Sequence, residues 1–205
     1  MTSSQTQPAS LSVRARQHPV WALFTAAGVF TAIAVFDLVA NPADQHALRT
    51  YKEYVLTATI FPSVAAVLWV LTALDALHGS HHEPPAGVGL RVAAIGLLGL
   101  GVDATVTLAS GTTDTTGPLY PIAMLATLTG IVLTAIGWHR AQQLPRWIGP
   151  ALAIGWLLGA TPILGSGGAF LILVAAFLAI AARLRHDTPA QLTTTPVELD
   201  SSITA

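Results

Sequence analysis

One acidic residue lies in the middle of a long apolar stretch, where a charged side chain is costly. Asp103 follows Arg91 by twelve residues, which corresponds to about 18 Å of helix rise. A carboxylate at such a depth costs about 2.5–3.5 kcal/mol on insertion, so we expect Asp103 to be protonated, bonded to threonine hydroxyls or in contact with water. Thr107 shares its face one helical turn later. The pattern predicts a proton or cation site, and the simpler alternative is a neutral Asp hydrogen-bonded inside a helix bundle.

A second acid and a hydroxyl extend this candidate ion or proton site to Asp103, Asp37, Thr107 and Ser63. Asp37 lies near the end of the first apolar stretch, and Ser63 lies in the second, beside Pro62. Pro62 frees a backbone carbonyl because proline cannot donate to the helix. If the first and third helices touch, Asp37 can approach Asp103 and line an outward-facing polar cavity. The alternative for Asp37 is an interfacial carboxylate that reaches lipid headgroups.

A cluster of imidazoles and carboxylates between the second and third stretches has residue types that bind divalent cations. The candidates are Asp75, His78, His81 and His82, and such side chains can hold Zn²⁺. Gly79 and Ser80 interrupt the helix, so the spacing fixes no ligand geometry. We therefore favour a polar loop that contains histidines over a metal site.

Several other chemistries find no motif in the chain. The sequence has no cysteine and no HExxH, P-loop or GxSxG motif, so thiolate metal sites, nucleotide hydrolysis and serine hydrolysis are not indicated. His78 and His139 lie at helix ends, which argues against haem ligation within a bundle. The net charge of −1 gives no indication of nucleic-acid binding. We expect no catalytic residues, no cofactor and no enzyme activity.

Six long apolar stretches must position these residues. Hydrophobic residues make up 53% of the chain and charged residues only 9%, whereas soluble domains are about 25% charged. A membrane helix needs about 17–25 apolar residues. The sequence therefore predicts an all-α integral membrane protein, a bundle of six transmembrane helices with short loops. The predicted spans are 20–40, 54–77, 89–109, 119–138, 148–164 and 168–182, and the last two form a tight hairpin around Gly165–Gly168.

The positive charges predict the orientation. Seven of the nine Lys and Arg residues fall on one side of a six-span protein, and only Arg49 and Lys52 fall on the other. Lys and Arg are retained in the cytoplasm, so both termini are predicted to be cytoplasmic in a multi-pass protein of the cell membrane.

Eight Arg against one Lys also suggests a bacterial genome rich in G and C. We expect a transmembrane domain over 20–185, flanked by disordered cytoplasmic tails at 1–19 and 186–205. The Asn41-Pro42 pair predicts that the second helix starts outside the membrane.

Small residues recur at helical spacing and predict close helix packing. The third span has such a stripe through Gly89, Gly96 and Asp103, and the fourth span has one through Thr127 and Gly130. Besides the lipid bilayer, a second copy or another membrane protein is a possible partner at such faces.

Two functions remain open. The favoured one is a small proton- or cation-coupled transporter or channel-like protein. The alternative is a non-catalytic membrane partner or regulatory subunit.

Overall fold

The fold is a bundle of α-helices. A computed structural model describes residues 9–40, 48–76, 84–140, 146–160 and 168–186, of which 93% are helical and none is in a strand. The helices are α1 (Ala9–Ala40), α2 (Tyr51–Ala58), α3 (Ile60–Ala76), α4 (Pro84–Ser110), α5 (Leu119–Arg140), α6 (Ile148–Ala160) and α7 (Gly168–His186), with a 3₁₀ turn at Thr113–Thr116.

Four helices of the described chain are long and apolar enough to cross a membrane, which agrees with a multi-pass membrane protein. They cover Gln17–Val39, Tyr51–Ala76, Pro85–Ser110 and Leu119–Arg140. Helix α6 is a shorter apolar helix of 13 residues. Large apolar side chains such as Ile95 and Leu98 are 67% and 63% exposed, as expected for a surface that contacts lipid tails.

The structure changes two predicted helix boundaries. Helix α1 begins at Ala9, ahead of the predicted first span. The second helix begins at Tyr51, because Thr50 is its N-cap in an extended conformation and Glu53 supports it from the first turn. A second helix that starts at Asn41-Pro42 would have to continue through residues 48–50, and these residues are not helical, so that prediction is wrong there. Residues 41–47 lie outside the described residues. The second span is also divided at Thr59 into α2 and α3.

The helices form a closed ring in sequence order. Helix α1 packs against α3, α3 against α4, α4 against α5, α5 against α6, α6 against α7, and α7 against α1. Helices α6 and α7 lie side by side, with Gly155 against Leu173. The predicted adjacency of the last two spans is thereby confirmed, and one straight helix over 148–182 is excluded. The predicted tight turn falls on residues 161–167, which lie outside the described residues.

The most extensive contact in the ring joins α4 and α5 through their small residues. A Cβ atom at Gly96 would lie 2.5 Å from the backbone nitrogen of Thr127, and one at Gly137 would lie 2.6 Å from the Cβ of Ala86. Such distances are far shorter than van der Waals contact, so only glycine allows the two backbones to approach this closely. The stripes predicted on these two spans therefore pack against each other within one chain, in antiparallel order.

Large apolar side chains fill the inside of the ring. Phe30 of α1 packs on Phe177 of α7 with ring centroids 5.9 Å apart. Leu71, Leu97 and Ile131 are buried in the same core cluster. The apolar pocket that residues of α3, α5, α6 and α7 line has a volume of only about 10 Å³.

Acidic side chains and arginines differ in their burial in this fold. Every acidic side chain that lies on an α-helix and whose exposure the structure defines is buried. These residues are Asp37, Glu53, Asp75 and Asp103. The arginines with defined exposure are all exposed, namely Arg49, Arg91, Arg140, Arg146, Arg183 and Arg185. Apart from Arg49, these arginines lie where α4 and α6 begin and where α5 and α7 end, which we call the basic end. The opposite end, formed by 48–50 and 111–118, we call the capped end.

Candidate functional site

The close packing of α4 on α5 determines where Asp103 lies. The contacts pair Gly89 with Thr134 and Gly96 with Thr127, so residue numbers rise along α4 as they fall along α5. Continued for two turns, this register brings Asp103 to the level of Tyr120, at the start of α5. Asp103 is 7% exposed, and it lies on the buried side of α4 as the sequence predicts.

The carboxylate of Asp103 has a hydroxyl partner at the capped end. Thr116 Oγ1 donates a hydrogen bond to Asp103 Oδ1, and the carboxylate also interacts electrostatically with Tyr120. Threonine bonding was one of the three predicted states of Asp103. The donor comes from the 3₁₀ turn, thirteen residues further along the chain, so the hydrogen bond ties the turn to α4.

The chain that carries Thr116 folds back over the end of α4. Gly111 and Gly117 border this segment with φ angles of 74° and 54°, a conformation that glycine adopts without steric cost. Within it, Ser110 Oγ donates to the Thr112 carbonyl at 3.0 Å, and Thr115 Oγ1 donates to Ser110 Oγ at 3.0 Å. The sequence analysis missed Thr116. The two glycines that bound this threonine-rich loop are the signal that a fold-back was required.

A backbone hydrogen bond joins the two segments of the capped end. The N–H of Leu48 donates to the Gly111 carbonyl at 2.9 Å, and a Cβ atom at Gly111 would lie 3.4 Å from the Tyr54 hydroxyl. Beside this bond, Glu53 Oε2 accepts from the N–H of Thr50 at 2.6 Å and from the N–H of Arg49. The buried Glu53 carboxylate therefore caps α2, and the sequence analysis missed this role although the Thr-x-x-Glu pattern is local.

The other predicted members of the site are distributed over α1, α3 and α4. Thr107 is buried one turn beyond Asp103, and its carbonyl accepts the N–H of Gly111 at 2.9 Å. Ser63 Oγ donates to the Thr59 carbonyl of its own helix segment at 2.8 Å. Asp37 is buried on α1 and takes part in an interaction of its own. Helix α1 packs mainly against α3 and α7, while α2 contacts both α1 and α4. The structure therefore brings Asp103 and Thr107 together, and it leaves Ser63 bonded within its own helix segment.

The candidate metal ligands are described only in part. Asp75 is buried in the last turn of α3 and has an interaction partner. His78, His81 and His82 lie outside the described residues. Within the residues that the structure does describe, no three His, Asp or Glu side chains come together in a metal-binding group. The metal hypothesis stays a prediction.

Known protein families, curated proteins and solved structures were compared with this chain, and none matches it. Its long apolar helices, exposed aliphatic surface and buried acids indicate a multi-pass membrane protein.

Proposed function

We propose that this chain is a six-span protein of the cell membrane with both termini in the cytoplasm. The closed ring of sequential, antiparallel helices and the collection of arginines at one end support this topology. The chain has no cysteine, so single cysteines can be introduced for labelling. A cysteine at Thr115 should react with an impermeant reagent only from outside the cell, and a cysteine at Ala141 only from inside. Labelling of both from one side would contradict the six-span topology.

Within that topology, we infer that the protein is a non-catalytic membrane component and not a conduit for solutes. One observation carries this proposal: apolar side chains fill the inside of the ring, and the pocket that they line there has a volume of only about 10 Å³. A transport pathway needs polar groups that replace the hydration shell of the ion. The buried Asp103 is instead held by Thr116 in a part-buried hydrogen bond at the capped end.

Proton- or cation-coupled transport is the second candidate, and a specific observation favours it as well. Asp103 is a buried carboxylate that accepts a hydrogen bond from Thr116 and interacts electrostatically with Tyr120, and buried acids in membrane helices mark many proton pathways. In this mechanism Asp103 would take up a proton from the capped side, and the hydrogen bond to Thr116 would open as it did so.

A flux measurement separates the two candidates. The protein is reconstituted into liposomes that contain a pH-sensitive dye, and the decay of an imposed pH gradient is compared with protein-free liposomes. We expect no added decay, with or without Na⁺ or K⁺. Added decay in the wild type that disappears in Asp103→Asn, with folding unchanged by circular dichroism, would overturn the non-transporting proposal and establish the second candidate.

A further inference from the structure

A half-open groove lies between α5 and α6 at the basic end. Its volume is about 360 Å³, and its walls include Val132 and Ile136 of α5 and Ala153 of α6. The two helices touch beside it, because a Cβ atom at Gly149 would lie 2.5 Å from the Cβ of Ala135. The groove is therefore bounded by a fixed helix contact and has an apolar floor.

The groove combines this apolar floor with positive charge. Arg146 and His139 belong to its lining, and Arg140 follows His139 at the exposed end of α5. None of its lining residues is acidic. The first turn of α6 also belongs to the groove. The N–H groups of Ile148 and Gly149 precede the first hydrogen bond of this helix, from Ala151 to Trp147, and such leading N–H groups favour an anion.

The size and the charge of the groove favour a lipid. Its volume falls within the range of about 300–1,000 Å³ that is typical of small-ligand sites. Its apolar wall at Val132 and Ile136 suits an acyl chain, and Arg146 suits an anionic headgroup.

We propose that this groove binds one anionic phospholipid from the leaflet at the basic end. The phosphate lies against Arg146, with His139 beside it, and one acyl chain follows Val132 and Ile136 towards the middle of the membrane. Arginine suits this role because its planar guanidinium pairs with phosphate oxygens through two N–H groups. The inference requires only that the basic end lies at a membrane surface, so it is independent of whether the chain transports a solute.

The test measures lipid retention by the full-length protein. The protein is purified in detergent, mixed with equal amounts of phosphatidylglycerol and phosphatidylcholine, and analysed by native mass spectrometry. We expect one phosphatidylglycerol to be retained in preference to phosphatidylcholine. Arg146→Gln should weaken that preference about five-fold, which corresponds to about 1 kcal/mol for one cation near a headgroup. Arg91→Gln is the matched control, since Arg91 is exposed on α4 and does not line the groove, and it should leave the preference unchanged.

A second variant tests the apolar part of the site without altering charge. Ala153→Phe places a ring in the groove and should reduce retention of both lipids at this site, with helix content and elution volume unchanged. Equal loss in Arg146→Gln and Arg91→Gln would overturn the proposal in favour of general surface charge. Displacement of the lipid by inorganic phosphate would indicate a free-anion site. Disulfide-linked dimers from an Ile136→Cys variant would show that a second copy occupies the groove.

Discussion

One of the close backbone contacts between α4 and α5, that of Gly96 with Thr127, allows a quantitative prediction. In Gly96→Ala, the new Cβ would lie 2.5 Å from the Thr127 backbone nitrogen and 2.7 Å from the Ala123 carbonyl oxygen. These are backbone atoms of a helix, so they cannot move aside as a flexible side chain would, and α4 and α5 must separate.

The cost follows from two opposing effects. Overpacking of a close contact typically costs about 1–3 kcal/mol, and we take a cost of about 3 kcal/mol for a clash with backbone atoms. Replacing a helical glycine with alanine returns about 1 kcal/mol through helix propensity. We therefore expect Gly96→Ala to lower the free energy of unfolding by about 2 kcal/mol. Separated helices also lose dispersion contacts along the rest of the seam, which acts in the same direction.

Gly101→Ala is the matched control on the same helix. A Cβ atom there meets nothing within 4 Å, so this variant should be as stable as the wild type or up to about 1 kcal/mol more stable. Both variants are unfolded with SDS in mixed micelles, and helix content is followed by circular dichroism. Equal stability of the two variants would refute the inferred register of α4 against α5.

The remaining predictions concern the capped end and the groove. Thr116→Val removes the donor to Asp103 and should destabilise the protein by about 0.5–1.5 kcal/mol, the usual net contribution of one hydrogen bond. Asp103→Asn keeps an acceptor oxygen and should be nearly silent in the same unfolding assay; a large loss would show that the negative charge itself is required. Glu53→Ala leaves two N–H groups of the α2 start without their acceptor and should cost about 1 kcal/mol, whereas an unchanged midpoint would contradict a capping role. Arg146→Gln should leave unfolding in detergent unchanged and should reduce the stabilisation that added phosphatidylglycerol provides.

The local periodicity of apolar and small residues was sufficient to predict the helices and the side of each helix that is buried. The recurrence of Gly89, Gly96 and Asp103 at helical spacing predicted a buried stripe on α4, and that stripe packs on α5. The burial of Asp103 follows from the same helical period, because a helix with 3.6 residues per turn fixes which residues share a side. The Thr50–Glu53 cap was also local, and it was missed because Asn41-Pro42 offered an equally good helix start earlier in the chain.

Sequence alone therefore determined the helices, their apolar character and the buried faces, since each depends on residues within a few turns of one another. Only the tertiary structure decided which side chain reaches Asp103, because Thr116 arrives there by a fold-back of the loop and not by helical spacing. The closure of α7 on α1 and the filling of the ring by Phe30 and Phe177 are likewise long-range contacts. The groove between α5 and α6 is also a tertiary feature, because its apolar walls and its cations become a site only when two helices meet at Gly149.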